Sequence, residues 1–135
     1  MDIVPADKRS EIMRRITSKD TKPEIIVRRL VHGLGFRYRL HKKELPGKPD
    51  LVFSKGRKLI CVHGCFWHQH DGCKSSHIPK SRQDYWEPKL NRTVFRDRKN
   101  QAKLRELGWD ILVIWECEVR EVQQIANKII AFLGK

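Results

Sequence analysis

The segment from residue 64 to residue 80 constrains this chain most, because it has no hydrophobic periodicity but is rich in cysteine, histidine and large aromatic side chains. A loop with so few apolar anchors needs another means of stabilisation. Cys65, His70 and Cys73 offer three ligands for a transition metal. Cys117, just beyond the last predicted strand, completes the Cys3His set that is typical of structural zinc. We therefore expect a zinc ion to hold this loop.

The simpler interpretation is that these are ordinary buried cysteines and loop histidines. Cys61 fits that interpretation, because it lies inside the apolar run Leu59–Val62. For the loop residues we favour zinc. With four protein ligands such an ion would have no open position and would not be catalytic. The H-x-E and P-C-x-x-C signature of zinc deaminases is absent from the sequence.

The balance of charge favours a polyanionic partner. The 135 residues contain 29 Lys and Arg against 16 Asp and Glu, which gives a formal net charge of +13. The excess lies in residues 1–43 and 80–105, whereas residues 116–135 are balanced. Solubility alone needs a net charge of only about 2–8. We therefore expect nucleic acid rather than a merely solvated surface.

A membrane protein and a secreted protein are both disfavoured. The longest apolar runs, Ile111–Trp115 and Ile129–Leu133, contain five residues each, whereas a membrane span needs about 20. The one clean amphipathic helix is close to neutral, so a cationic membrane-surface helix is not indicated. The first residues lack the basic start and apolar stretch of a secretory signal, so we expect a cytoplasmic protein.

Hydrophobic patterning predicts one α/β domain over residues 1–135, with a small mixed sheet flanked by helices. We expect the helix after the Pro88 break to start near Asn91 and Gly108 to end it. A capping box from Thr21 to Glu24 predicts a helix that runs to His32. The predicted elements are helices Lys8–Ile16, Thr21–His32, Asn91–Leu107 and Val122–Leu133, and strands Phe36–Leu40, Asp50–Phe53, Lys58–His63 and Ile111–Trp115.

Pro49 and Asp50 open a predicted hairpin, which is the layout of the metal-dependent PD-(D/E)xK nucleases. Alone, this feature is weak, because any boundary between a turn and a strand can carry Pro-Asp. The acidic residue and lysine expected two apart on the next strand are also missing, since that strand ends Cys61-Val62-His63-Gly64. The general signature of the superfamily is therefore broken.

The block His63-Gly64-Cys65-Phe66-Trp67-His68 nevertheless resembles a specific motif of the very-short-patch repair mismatch endonucleases, a divergent branch of that superfamily. The resemblance covers about nine tenths of the chain. It implies a restriction-endonuclease-like core and a Mg²⁺-dependent nick beside the T of a T:G mismatch. The further matching motifs are Met13-Arg14-x-Ile16, Asp20-Thr21-x-x-Glu24, Leu45-Pro46-Gly47-Lys48-Pro49-Asp50, Tyr85-Trp86, Arg96-Asp97, Leu107-Gly108-Trp109 and Trp115-Glu116-Cys117.

The resemblance also assigns roles in catalysis. Asp50 would bind Mg²⁺ together with the backbone carbonyl of Val62, since Mg²⁺ prefers oxygen ligands. His68 would replace the missing lysine and His63 would be a second or supporting imidazole, with the choice of general base left open. Glu24 would support metal-bound water, although its role as the capping partner of Thr21 is nearly as good an interpretation.

The aromatic residues Phe66, Trp67 and Trp86 would wedge into the base stack, which costs least at a mismatch. Met13 would enter from the other side; without the resemblance, Met13 and Trp86 would be assigned to the core. Residues 1–20 would form a DNA-contacting arm. Asp97 lies within the second basic run as a candidate ion-pair partner. The predicted phosphate contacts are Arg14, Arg15, Lys19, Arg96, Arg98 and Lys99.

Several alternatives stay open at this point. The spacing between His70 and Cys73 is wider by one residue than in the relatives, so His68 competes with His70 as the histidine ligand of zinc. The nuclease could act on another lesion or site, or the chain could be a zinc-stabilised DNA-binding module without activity. We further expect a monomer in the bacterial cytoplasm, associated with the nucleoid, with a functional link to a DNA cytosine methyltransferase and to later repair proteins.

Overall fold

The computed structural model describes residues 21–40 and 44–134. The predicted helix Lys8–Ile16, the arm 1–20 and the candidate DNA contacts Met13, Arg14, Arg15 and Lys19 lie outside the described residues. In chain order the elements are α1 (Lys22–Gly33), β1 (Arg39–Leu40), β2 (Leu51–Phe53), β3 (Lys58–His63), α2 (Gln83–Glu106), β4 (Asp110–Trp115) and α3 (Val122–Leu133).

The four strands form one mixed sheet in the order β1-β2-β3-β4. β1, β2 and β3 are antiparallel neighbours, and β3 and β4 are parallel along six paired residues, from Lys58 with Asp110 to His63 with Trp115. A parallel pair needs a long crossover, which α2 and the preceding loop provide. The small mixed α/β sheet flanked by helices is the predicted class, which the structure confirms.

Two apolar clusters hold the helices to opposite faces of the sheet, because successive strand residues point to opposite sides. Val27 of α1 and Ile129 of α3 pack with Ile60, Val62 and other residues on one face. Leu104 of α2 packs with Val52, Leu59 and Trp109 in the second cluster. Each fully buried side chain of this size contributes about 1.5–3 kcal/mol of apolar burial. This packing fixes the C-terminal half of α2 against the sheet. The N-terminal half extends beyond this cluster to the loop at residues 64–82.

The expected break at Pro88 is wrong, because α2 begins at Gln83 and Pro88 lies inside it. A proline in the second turn removes a single N–H, which would have bonded the Asp84 carbonyl, and its cost is about 3 kcal/mol or less so near the helix start. Packing of Trp86 and the fully buried Leu90 offsets that cost. The predicted stop at Gly108 is confirmed: its φ is +91°, and a Cβ there would lie 2.9 Å from the Arg57 guanidinium.

The first strand is shorter than the alternation predicts, since within residues 36–40 the pairing with β2 begins only at Arg39. β2 itself has three residues, so there is little edge to pair with. Phe36 and Tyr38 still pack against the core as expected, and the Tyr38 hydroxyl donates to the Arg28 carbonyl at 3.3 Å.

The helix α1, with Thr21 as its N-cap, and the helix α3 are confirmed as predicted. The apolar stripe of α3 is narrower than expected, because Val122 and Ile130 are 48% and 46% exposed. Among the described residues no helix combines the length and apolarity that crossing a bilayer requires.

Candidate active site and metal centre

The candidate site lies where the parallel strands β3 and β4 end. His63 closes β3 beside Trp115 of β4, and the antiparallel β2 starts at the same end directly after Asp50. The loop after β3 and the start of α1 meet there as well. This end of the sheet therefore gathers polar residues from four separate parts of the chain.

Asp50 is bound to the backbone of the neighbouring strand. Its Oδ2 accepts a hydrogen bond of 2.6 Å from the Val62 N–H. Since the N–H and carbonyl of one strand residue point to the same side, the Val62 carbonyl is directed toward the same edge as the Asp50 carboxylate. The pKa of Asp50 is raised to about 7 by burial and, to a smaller extent, by the neighbouring Glu24 carboxylate, against the lowering effect of the Val62 N–H.

Glu24 supplies the second carboxylate of this group, and it is only 4% exposed. Its Oε2 accepts from the Arg28 guanidinium at 3.1 Å, and its side chain also hydrogen-bonds Asp50. The Glu24 N–H donates to Thr21 Oγ1 at 3.4 Å, so the predicted cap at Thr21 is present. The buried Glu24 carboxylate and the partly buried Asp50 carboxylate, beside one arginine, form a site whose charge a further cation would balance.

His63 and His68 stack face to face, with ring centroids 3.9 Å apart and an angle of 9° between the planes. His68 Nδ1 lies 2.6 Å from Asp97 Oδ2. Burial and, to a smaller extent, the adjacent His68 lower the pKa of His63 to about 4. His63 is therefore neutral near pH 7 and the Asp97 carboxylate orients His68.

Sequence analysis missed this role of Asp97, because it assigned the residue to ion pairs within the basic run. Its partner is instead His68, 29 residues earlier. A signal was present: Asp97 follows Trp86 by eleven residues and Leu90 by seven, so all three share one face of α2. That face is turned toward the loop and the sheet.

The predicted zinc ligands come together in the loop. The ligand atoms of Cys65, His70, Cys73 and Cys117 all lie within 4.8 Å of one another. His70 Nδ1 is 3.7 Å from Cys65 Sγ and 3.4 Å from Cys117 Sγ. Tetrahedral zinc with its usual bond lengths separates a bound sulfur from a bound nitrogen by about 3.5 Å. The donor set and its spacing therefore fit zinc.

The competing ligand His68 lies in a different group, with His63 and Asp97. Burial raises the pKa of Cys65 to about 12, whereas hydrogen bonding from the Ser75 backbone, and then from His70, lowers that of Cys73 to about 7. The Cys117 N–H donates to Cys65 Sγ at 3.4 Å, as expected around a metal-binding sulfur. Cys61 is a buried core residue, as its position in an apolar strand predicted.

An aromatic cluster borders the same loop. The Phe66 centroid is 5.3 Å from those of Trp67 and Trp86, and the two tryptophans are 5.7 Å apart, all with steeply inclined rings. Trp67 is 51% exposed and Trp86 is half-buried, so Trp86 belongs to this cluster rather than to the apolar core. The site thus presents an apolar, partly exposed edge beside its polar groups. The remaining predicted contacts Arg96, Arg98 and Lys99 are exposed on α2.

Comparison with known proteins identifies relatives that match most of this chain. Residues 1–74 match the family model described as DNA mismatch endonuclease Vsr. The Type II nicking enzyme V.XorIIP of Xanthomonas oryzae pv. oryzae is 46% identical over 128 residues, covering 95% of this chain and 93% of that protein. The Type II nicking enzyme V.NmeAIP of Neisseria meningitidis is 45% identical over 119 residues, covering 88% of this chain and 84% of that protein.

The DNA mismatch endonuclease Vsr of Escherichia coli is 37% identical over 127 residues, covering 94% of this chain and 81% of that protein. These relationships extend over nearly the whole sequence, including the loop at residues 64–80 and the end of β4. The chain therefore belongs to the Vsr family of DNA mismatch endonucleases.

Proposed function

We propose that this chain nicks one strand of duplex DNA beside the T of a T:G mismatch by Mg²⁺-dependent hydrolysis of a phosphodiester bond. The observation that carries the proposal is the meeting of the Asp50 carboxylate with the stacked pair His63 and His68 at one end of the sheet. The core would be restriction-endonuclease-like, with His68 replacing the lysine that β3 lacks. Membership of the Vsr family supports the reaction class.

Asp50 and the Val62 carbonyl would hold the magnesium ion, and Glu24 would hold water bound to it. The residues fit a hard cation, because the carboxylates of Asp50 and Glu24 lie side by side and the Val62 carbonyl is directed to the same edge. When bound, a divalent cation stabilises the negative charge that develops on the cleaved phosphate. The positive charge of Arg28, which pairs with Glu24, reduces the repulsion between the two carboxylates.

His68 is the general base of the proposed reaction. Because Nδ1 contacts Asp97, the Nδ1–H tautomer is favoured, which leaves a lone pair on Nε2 to take the proton of the attacking water. The water oxygen then bonds to phosphorus, the bond from phosphorus to the leaving oxygen breaks, and the leaving oxygen keeps the electron pair and takes a proton from solvent. His63 stays neutral and supports the His68 ring through stacking.

Phe66, Trp67 and Trp86 would provide selectivity. Unstacking a base step costs a few kcal/mol, and this cost is smallest at a mismatched pair. An exposed edge such as that of Trp67 can enter a weakened step, whereas a paired duplex would exclude it. A T:G pair is the product expected from deamination of 5-methylcytosine opposite G, which is the basis of the proposed link to a cytosine methyltransferase.

The proposed zinc ion would be structural. Cys65, His70, Cys73 and Cys117 would fill all four of its positions and tie the loop to the end of β4. The loop also carries Phe66, Trp67 and His68, so the ion would hold these residues in place. We propose that the protein works as a monomer in the bacterial cytoplasm, where it is associated with the nucleoid. Other repair proteins would continue the repair after the nick.

Strand nicking tests the proposal directly. End-labelled duplexes, one with a T:G mismatch and one fully paired, are incubated in Mg²⁺ or EDTA with wild type, Asp50→Ala and Asp110→Ala. We expect a nick only beside the T of T:G, abolished by EDTA and reduced at least about 10³-fold by Asp50→Ala, because metal-dependent charge stabilisation supplies several kcal/mol.

Asp110 is the matched control, since it is exposed at the opposite end of β4. Its substitution should leave the rate within about twofold. Nicking of another mismatch instead of T:G would assign a different lesion. Tight binding without any nick would indicate an inactive DNA-binding module.

A further inference from the structure

The outward face of α2 carries a continuous row of cations, which we call the α2 stripe. Its members follow one another at intervals of three or four residues, so they lie on one side of the helix. All of them are exposed. The inward side, marked by Leu90 and Asp97, is rotated from the centre of the stripe by about a third of a turn. The α2 stripe consists of Lys89, Arg92, Arg96, Lys99 and Lys103.

The charge of the stripe is not balanced locally. Across residues 21–40 and 44–134, no carboxylate forms an ion pair with a stripe residue. Asp97, the acid nearest to the middle of the stripe in sequence, is turned inward to His68. Lys89 contacts the hydroxyl and ring of Tyr85, and Arg92 Nε donates to the Pro88 carbonyl at 3.4 Å. These contacts with uncharged groups leave the positive charges uncompensated.

The stripe has the length and charge to follow a phosphate backbone. Lys89 and Lys103 are fourteen residues apart, which is about 21 Å along a helix. Successive nucleotides of one B-DNA strand advance about 3.4 Å along the duplex axis, so the stripe is as long as about six base-pair steps. It also divides a run that sequence analysis grouped together: Arg96 and Lys99 belong to the stripe, whereas Arg98 is rotated onto the flank of the helix.

We propose that the α2 stripe binds the phosphate backbone of a second stretch of duplex DNA, outside the stretch that occupies the active site. Trp86 and Asp97 serve the active site from the inward side of α2, about a third of a turn from the stripe, so the stripe side chains point away from that site. The stripe would hold paired DNA without reading its sequence. The proposal rests on the proposed function only in taking DNA as the polyanion.

Salt-dependent binding tests the stripe without any cleavage. The triple variant K89Q/R92Q/K103Q is compared with R29Q/K55Q/R105Q, which removes the same charge from exposed positions outside the stripe. Anisotropy in EDTA measures the Kd for a fully paired duplex of about 40 base pairs and for a T:G duplex of about 12, a little over one helical turn. Both variants keep every residue of the candidate active site.

We expect the stripe variant to reduce the slope of log K against log salt by about 2–3 on the long duplex, because each lost phosphate contact lowers it by about 0.9. The control should change the slope by less than 1, and affinity for the short T:G duplex should change less than about twofold in either variant. Equal slopes for the two triple variants would overturn the proposal. So would an equal loss on the short duplex, which would place the stripe in the active-site contact.

Phe95 offers a separate test of the kind of DNA that is bound. It is 70% exposed between Arg92 and Lys99. A duplex backbone offers no base to stack on it, so Phe95→Ala should leave duplex affinity within about twofold. A single strand would use the ring, at about 1–3 kcal/mol per stacked base. Tighter binding of wild type to oligo-dT than to duplex, removed by Phe95→Ala, would overturn the assignment to duplex DNA.

Discussion

Two clusters that share the segment from His63 to Cys73 differ in the donor atoms that they leave available for a substrate. The cysteine cluster (Cys65, His70, Cys73, Cys117) directs all four of its donor atoms at one another. The histidine cluster (His63, His68, Asp97) contains one carboxylate contact and leaves ring nitrogens for other partners. The first is suited to hold the chain and the second to act on a substrate.

The two clusters are also in contact. The Trp115 ring stacks on His70 with centroids 4.2 Å apart and meets His63 edge-on at 5.2 Å. Residues of the two clusters alternate along the chain from His63 to His70, so movement of one cluster displaces the other. We therefore propose that the cysteine cluster holds the histidine cluster in place, and this proposal predicts how each cluster should fail.

The largest effect is expected from breaking the cysteine cluster. Cys117→Ser should remove bound zinc, because serine is a poor zinc ligand, and should lower stability by at least about 3 kcal/mol, or roughly 10 °C in Tm. Nicking should be lost with the ordered loop. Metal analysis of the purified protein, thermal unfolding and the nicking assay measure the three consequences.

Cys61→Ser is the matched control. Cys61 is buried in β3 and lies outside the cysteine cluster, so the buried hydroxyl should cost about 1–3 kcal/mol while the zinc content stays at the wild-type level. If Cys117→Ser retained full metal content, the assignment of Cys117 as a ligand would be wrong.

A smaller effect is expected within the histidine cluster. Asp97→Asn keeps the shape of the side chain but removes the charge that orients His68, so single-turnover nicking should fall about 10- to 100-fold. Affinity for the T:G duplex and zinc content should stay within about twofold of wild type. A loss confined to the rate would identify Asp97 as a positioning residue.

Asp84→Asn provides the comparison on the same helix. Asp84 is exposed in the first turn of α2, and its substitution should change neither the rate nor the affinity more than about twofold. If Asp97→Asn lost DNA affinity or zinc to the same degree as rate, its role would be structural.

The two clusters were not equally predictable from sequence. Three members of the cysteine cluster occur within nine residues, and short spacings of Cys and His carry a defined chemistry. The His68–Asp97 contact joins residues 29 apart through the placement of α2 on the sheet, which no local pattern encodes. From sequence alone, Asp97 is therefore interpreted as an ion-pair partner within a basic run.

The same distinction explains the fold. The α1 cap at Thr21, the hairpin at residues 51–63 and the end of α2 at Gly108 follow from local turn and capping chemistry. The start of α2 does not, because burial of Leu90 and the contacts of Trp86 override the proline in its second turn. The length of β1 does not follow from its own sequence either, because β1 is limited by its pairing with the three-residue strand β2.

The smallest effect is expected where α1 enters the site. Thr21→Ala removes the side-chain acceptor of the Glu24 N–H and should cost about 1 kcal/mol, or a few degrees in Tm. Glu24 keeps its contacts with Arg28 and Asp50, so nicking should stay within about twofold. Denaturant unfolding measures the contribution of the cap to stability, and the nicking rate measures any effect on the active site.

Thr93→Ala is the matched substitution in the middle of α2, where the hydroxyl only donates to the Lys89 carbonyl, and it should cost less than about 0.5 kcal/mol. Glu24→Gln should show the reverse pattern to Thr21→Ala, with little loss of stability and a nicking rate reduced about tenfold or more. If Glu24→Gln affected only stability, the Glu24 side chain would serve its pairing with Arg28 and the metal-supporting role would be wrong.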